Sequence, residues 1–127
     1  MPLITVNALP LNESQKPVSD IIVDISRDFA AATNIDIKHV SITWNTIQSG
    51  CYSWGGNIEY EQPTDLHPLI IDMLIPDFYK PERVAQLLTI LAKITSKHTG
   101  VLRNHIFINV RKAMSGCVFD EGQVLRW

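Results

Sequence analysis

The sequence has little of several features that would point directly to a class of function. Only two of its 127 residues are cysteines, so a disulfide framework is not expected. The 11 basic and 13 acidic residues give a net charge of −2, which leaves no basic footprint for nucleic acid. Apolar runs stay short of the roughly 18 residues of a membrane span, and no signal peptide is visible. We therefore expect one cytoplasmic domain, residues 1–127, without nucleic-acid or membrane partners.

The sequence does contain an internal repeat. A shift of 66 positions aligns residues 1–61 with residues 67–127, and the two halves join near residues 59–67. Twelve of the 61 aligned pairs are identical, where average composition would give about four. The repeat brings Pro2 onto Pro68, and it brings one SGC triplet onto a second, at 49–51 and 115–117.

Each half predicts a strand, a helix and a second strand. The apolar runs at 2–9 and 68–75 are typical of strands covered on both faces. The segments HVSITW (39–44) and HIFINV (105–110) alternate between apolar and polar residues, as the second strands should. Two tandem βαβ units follow from this pattern.

The helices between these strands are predicted from apolar residues at helical spacing. The two stripes are Val18, Ile21, Ile22, Ile25 and Phe29, and then Val84, Leu87, Leu88, Leu91 and Ile94. Asn34 and Gly100 stand at matched positions and tolerate the left-handed conformation of a helix C-cap. Pro81 suits the first turn of the second helix.

The predicted fold class is α+β, with one four-stranded sheet and both helices on one of its faces. The other face would then be bare and largely apolar. Its residues are expected to include Leu3, Thr5, Leu69, Ile71, Met73 and Phe107. An uncovered apolar face predicts an obligate oligomer; the alternative is a monomeric sandwich whose loops cover that face.

A proline directly behind the initiator methionine, two βαβ repeats and a glycine-bearing tail together resemble the tautomerase superfamily. That superfamily includes 4-oxalocrotonate tautomerase and macrophage migration inhibitory factor. GCYSWGG (50–56) is similar to the GHFGIGG stretch of the oxalocrotonate branch, and IFIN (106–109) is similar to the VYIN strand of the cytokine-like branch. The resemblance implies a homotrimer around a central barrel and a small-molecule substrate, with no cofactor and no metal.

Pro2 is the leading catalytic candidate. Removal of Met1 would leave a secondary amine, whose ordinary pKa of about 7.7–8.0 an apolar pocket would lower toward neutrality. A base of that strength suits proton abstraction at neutral pH. The alternative is structural, because proline at the start of an edge strand has no N–H to leave unpaired.

Five further residues are substrate-binding candidates. The resemblance places Phe107 and Asn109 of a neighbouring subunit near the proline, where the amide could bond a carbonyl or enol oxygen. Tyr52 could donate to an enolate, Arg111 could bind a carboxylate, and Phe119 could close the pocket. The alternatives are interface packing for Phe107 and Asn109, a pocket wall for Tyr52, a solvated surface position for Arg111, and core packing for Phe119.

The function predicted from these residues is a cofactor-free tautomerase or isomerase that acts on a small 2-oxo acid or enol. One alternative is a non-catalytic trimeric scaffold or binding protein, because Asn12 and Ser41 stand where the oxalocrotonate branch has arginines. Another is a hydratase or dehalogenase of the same superfamily. A tautomerase would use the proline as a base, whereas a hydratase or dehalogenase would use it as an acid.

Overall fold

The described residues form eight strands and two α-helices, of which the sequence patterns predict four strands and both helices. The computed structural model describes residues 1–12, 16–63 and 68–127, so part of the predicted junction at 59–67 lies outside the described residues. In chain order the elements are β1 (Leu3–Ala8), α1 (Val18–Thr33), β2 (Ser41–Thr46), β3 (Ser53–Trp54), β4 (Asn57–Ile58), β5 (Leu69–Pro76), α2 (Pro81–Thr99), β6 (Ile106–Ala113), β7 (Val118–Asp120) and β8 (Gln123–Leu125).

The four long strands form one mixed sheet in the order β2-β1-β5-β6. β1 and β2 are parallel, β5 and β6 are parallel, and the two pairs meet along an antiparallel β1–β5 contact. Both helices pack on the same face of this sheet through one continuous apolar core. The predicted α+β class, with one four-stranded sheet and two helices on one face, is confirmed.

Both helices end as their last residues predict. Asn34 caps α1 at φ 62° and Gly100 caps α2 at φ 77°, and both conformations are left-handed. Pro81 is the first residue of α2, where its missing N–H leaves no helical bond unmade. The last residue of each helix is a threonine, and its hydroxyl donates to the carbonyl one turn earlier, at 2.6 Å for Thr33 and 2.7 Å for Thr99.

The core lies between the helices and the sheet. Among the residues that the structure describes, eleven large side chains are fully buried: Ile4, Leu9, Ile21, Ile25, Phe29, Leu69, Ile71, Met73, Ile75, Leu87 and Leu91. Burial of an aliphatic or aromatic side chain of this size contributes about 1.5–3 kcal/mol. The sequence therefore gains most of its hydrophobic stabilisation on this one face of the sheet.

The other face, called the open face below, is not the one expected from the sequence. It consists of Leu3, Thr5 and Asn7 of β1, Ser41, Thr43 and Asn45 of β2, Ile70, Asp72 and Leu74 of β5, and Phe107, Asn109 and Arg111 of β6. Leu3 and Phe107 lie there, with 47% and 54% of their surface exposed. The assignment of Leu69, Ile71 and Met73 to this face was wrong, because all three are buried under the helices.

The cause is a difference of one residue between the repeats. Leu3 pairs with Ser41, and Ile70 pairs with Phe107. The second strands therefore correspond at an offset of 66, whereas the first strands correspond at 67. β5 is apolar on both faces except at Asp72, so the repeat alignment at 66 hides the shift, and a slip of one residue exchanges the two faces of a strand.

Each half of the chain ends in a short hairpin. β3 and β4 pair around Gly55 and Gly56, and β7 and β8 pair around Glu121 and Gly122. All four turn residues have positive φ, which is the geometry of a two-residue type I′ turn. Trp127 then fixes the end of the second hairpin, because its backbone N–H donates to Ser115 Oγ at 2.8 Å and its indole N–H donates to Asp77 Oδ1 at 2.7 Å.

Within the described ranges, neither helix combines the length and the apolar character that crossing a bilayer would require.

Candidate active site

Pro2 lies directly before β1 and is buried. Its carbonyl accepts a hydrogen bond of 3.1 Å from the Ser41 N–H, which ties the start of β1 to the start of β2. Met1 precedes it and is half-buried. While Met1 is attached, the Pro2 nitrogen belongs to an amide and cannot act as a base.

Arg111 and Phe119 lie at the same end of the sheet as Pro2. The antiparallel contact pairs Leu3 with Leu74, and Leu74 pairs in turn with Arg111, so the three residues form one row across the open face. Adjacent strands are about 4.8 Å apart, which places Arg111 about 10 Å from the start of β1. Phe119 belongs to the hairpin that follows β6, and 72% of its surface is exposed. It therefore takes no part in the core.

Phe107 and Tyr52 lie at the opposite end of the sheet. Phe107 shares a row with Ile70 and Asn7, near the end of β1. The Tyr52 hydroxyl donates to the Pro68 carbonyl at 3.1 Å, directly before β5, and burial raises the pKa of this tyrosine. Within one chain, the candidates thus separate into two groups, and a contact between Phe107 and Pro2 requires a second subunit.

Asp72, which the sequence interpretation did not single out, bonds to two of the candidate residues. It lies on the open face between Thr5 and Asn109, in the middle of β5. Its Oδ1 accepts from Asn109 Nδ2 at 3.2 Å, and its Oδ2 accepts from Arg111 Nε at 2.7 Å and Nη2 at 2.6 Å. An acidic residue inside the apolar run LIIDMLIP was the signal that could have revealed it.

The charge of Arg111 is therefore engaged within the chain. The hydrogen bond from Arg111 holds the pKa of Asp72 below its ordinary 3.8, with a smaller contribution from Asn109, although partial burial opposes the shift. The same hydrogen bond raises the pKa of Arg111. The guanidinium is thus paired with a carboxylate of its own chain, and 60% of the Arg111 side chain is exposed, as the surface interpretation expects.

The Asp72→Asn variant is expected to lose a small amount of thermal stability near neutral pH and almost none in acid. The folded-state pKa of Asp72 lies below 3.8, so the stabilisation is fully present above that value and is lost as the pH falls through the folded-state pKa. Tm measured from about pH 2.5 to about pH 7 checks this, with Asp20→Asn on an exposed helix end as the control. A Tm difference that did not change with pH would contradict the assignment.

Across the described parts of the chain, no three His, Cys, Asp or Glu side chains lie close enough together to hold a metal ion. Cys51 and Cys117 are exposed free thiols.

The chain has the fold of tautomerase-superfamily proteins. It superposes on a fused 4-OT asymmetric trimer with a TM-score of 0.79 at 15% identity, over 97% of this chain and 95% of that one. For Pt0534 inactivated by 2-oxo-3-pentynoate, the TM-score is 0.80 at 13% identity, over 97% of this chain and 94% of that one. For the macrophage migration inhibitory factor of Toxoplasma gondii, the TM-score is 0.69 at 13% identity, over 98% of this chain and 100% of that one. Neither a family model nor a curated protein sequence matches the chain.

These superpositions cover almost the whole of this chain, so the likeness includes both repeats, the sheet and the hairpins. The resemblance noted in the sequence is confirmed at the level of the fold. At these identities the comparisons define an architecture, and the activity has to be argued from the residues of this chain.

Proposed function

We propose that this chain is a cofactor-free keto–enol tautomerase in which the Pro2 amine, released by removal of Met1, is the general base for a small 2-oxo acid or enol. The placement of Pro2 carries the proposal. The residue is buried at the start of β1 with its carbonyl held by Ser41. An amine released there would lie in partly desolvated surroundings, which disfavour its charged form and keep it available as a base.

The proposed reaction is a proton transfer between carbon and oxygen. The neutral Pro2 amine takes a proton from the carbon next to the substrate carbonyl, and the electron pair of the broken C–H bond forms the C=C bond. The carbonyl oxygen gains the charge, which the second N–H of Asn109 stabilises by donating a hydrogen bond. The protonated amine then returns the proton to that oxygen, so no group is consumed.

A homotrimer is part of the proposal. The fused 4-OT structure is described as a trimer, and the open face of this chain exposes Leu3 and Phe107. Apolar side chains of that size on an uncovered sheet favour burial against another subunit. In such an assembly, Phe107 and Asn109 of one subunit would complete the site at Pro2 of its neighbour.

The test uses protein whose mass shows that Met1 has been removed. Ketonisation of phenylenolpyruvate and of its methyl ester is followed for this protein and for Pro2→Ala. We expect kcat/KM to fall by at least about a hundredfold in the variant, because general base catalysis contributes about 10²–10⁴-fold. Equal rates for the two proteins would refute the role of Pro2.

A non-catalytic scaffold is the second candidate, and the pairing of Arg111 with Asp72 favours it. A scaffold has no need for a free cation or for a reactive amine. It predicts the same trimer with no turnover of either enol, so the kinetic comparison separates the two functions.

A further inference from the structure

We propose that Asp72 determines the substrate class: by pairing with Arg111, it makes the site select an uncharged carbonyl compound or enol over one that carries a carboxylate. The inference rests on the proposed function and narrows it. Asp72 acts here as a positioning residue, because it works through Arg111 and Asn109 and does not itself take part in proton transfer.

The hydrogen bonds of Asp72 fix the two side chains on β6 in different ways. Two guanidinium nitrogens of Arg111 converge on one carboxylate oxygen, and one amide hydrogen of Asn109 goes to the other. A substrate carboxylate that approached Arg111 would therefore come close to the negative charge of Asp72. Like charges at such a distance repel.

The open face, as far as the structure describes it, holds no second cation that offsets this pairing. Among the described residues of the open face, Arg111 is the one basic side chain. Asp72 and Arg111 together carry no net charge, so the pair offers little attraction to an anion. Asn109 donates to Asp72 through its amide nitrogen, and its carbonyl oxygen can accept a hydrogen bond from the O–H of a neutral enol.

The first repeat shows that the sheet does not need this ion pair. By the strand register, Thr5 corresponds to Asp72, Thr43 to Asn109 and Asn45 to Arg111. In the first repeat these positions are neutral, and β1 and β2 still pair in parallel as β5 and β6 do. The charged cluster is therefore an addition on one half of the sheet, and Asp72→Asn should leave the fold intact.

The test compares phenylenolpyruvate with its methyl ester, which share the reacting atoms and differ in one charge. The wild-type protein without Met1 is expected to have the higher kcat/KM for the ester. Asp72→Asn frees Arg111 and should shift the acid-to-ester ratio by about tenfold or more toward the acid, the size of a charged hydrogen bond. Adding Arg111→Gln to Asp72→Asn should abolish that shift. Asp20→Asn removes an equal charge from the exposed first turn of α1 and should leave the ratio unchanged.

A binding measurement keeps this inference separate from the proposed function. The Kd values of phenylpyruvate and of its methyl ester, measured by calorimetry, should show the same preference and the same shift. If neither enol is turned over, the tautomerase proposal fails, while the Kd ratio still tests the role of Asp72. A wild-type preference for the acid, or a ratio in Asp72→Asn equal to that in Asp20→Asn, would overturn the inference.

Discussion

Protein that retains Met1 is expected to ketonise enols about 10²–10⁴-fold more slowly than protein from which Met1 has been removed. The reason is chemical, because acylation by Met1 turns the Pro2 nitrogen into an amide without a basic electron pair. The hydrogen bond from the Ser41 N–H to the Pro2 carbonyl does not involve Met1. The fold should therefore persist with and without Met1. Circular dichroism and thermal melting of the two forms are the controls for that persistence.

Covalent labelling gives the same prediction a second measurement. The similar structure of Pt0534 was obtained after inactivation by 2-oxo-3-pentynoate. A free Pro2 amine can add to the alkyne of this reagent, with the proton moving to the neighbouring carbon, so the N-terminal peptide should gain the full mass of the reagent. Cys51 and Cys117 are exposed thiols that can also react, and a variant with serine at both positions removes that ambiguity. An unlabelled N-terminal peptide in active protein would contradict the assignment.

Phe29→Ala is expected to lower the free energy of unfolding by about 3–5 kcal/mol. Phe29 has no exposed surface and belongs to the core between α1, α2 and the sheet. Its removal takes apolar area out of the core and leaves a cavity that two helices and a sheet cannot readily close. Denaturation in urea, evaluated as the change in midpoint at constant m-value, measures the loss.

Val23→Ala is the matched control for this loss. Val23 lies on the same helix, but 43% of its surface is exposed. A change there should stay within about 0.5 kcal/mol. Equal destabilisation by the two substitutions would contradict the packing of α1 described above.

The parts of the fold that depend on local chemistry could be predicted from the sequence. Asn34 and Gly100 end the helices because few other residues tolerate positive φ, and Pro81 begins α2 because it has no N–H to satisfy. The faces of β5 differ in the sequence only at Asp72, which marks its own face as the open one, whereas the repeat alignment at 66 points to the opposite face. The pairing of Ile70 with Phe107 and the burial of Leu69 and Ile71 establish which residues face the helices.

The candidate site could be predicted only in part for a related reason. Pro2 is recognisable from its position in the sequence, and Arg111 from its charge. The partner of Arg111 is 39 residues away in the chain, and the two meet only because β5 and β6 are paired in one register. The register of β5 and β6 decides whether the cation is free or neutralised, and composition and sequence spacing do not predict that register.

The difference of one residue between the repeats also limits the number of proline amines that one chain can present. In the second repeat, the place of Pro2 is taken by Leu69, which precedes Ile70 as Pro2 precedes Leu3. Leu69 has an ordinary peptide N–H there. Pro68 lies one position too early to take the place of Pro2. Of the two repeats, the first alone therefore has a proline at this place in the sheet, and the second repeat offers no equivalent amine.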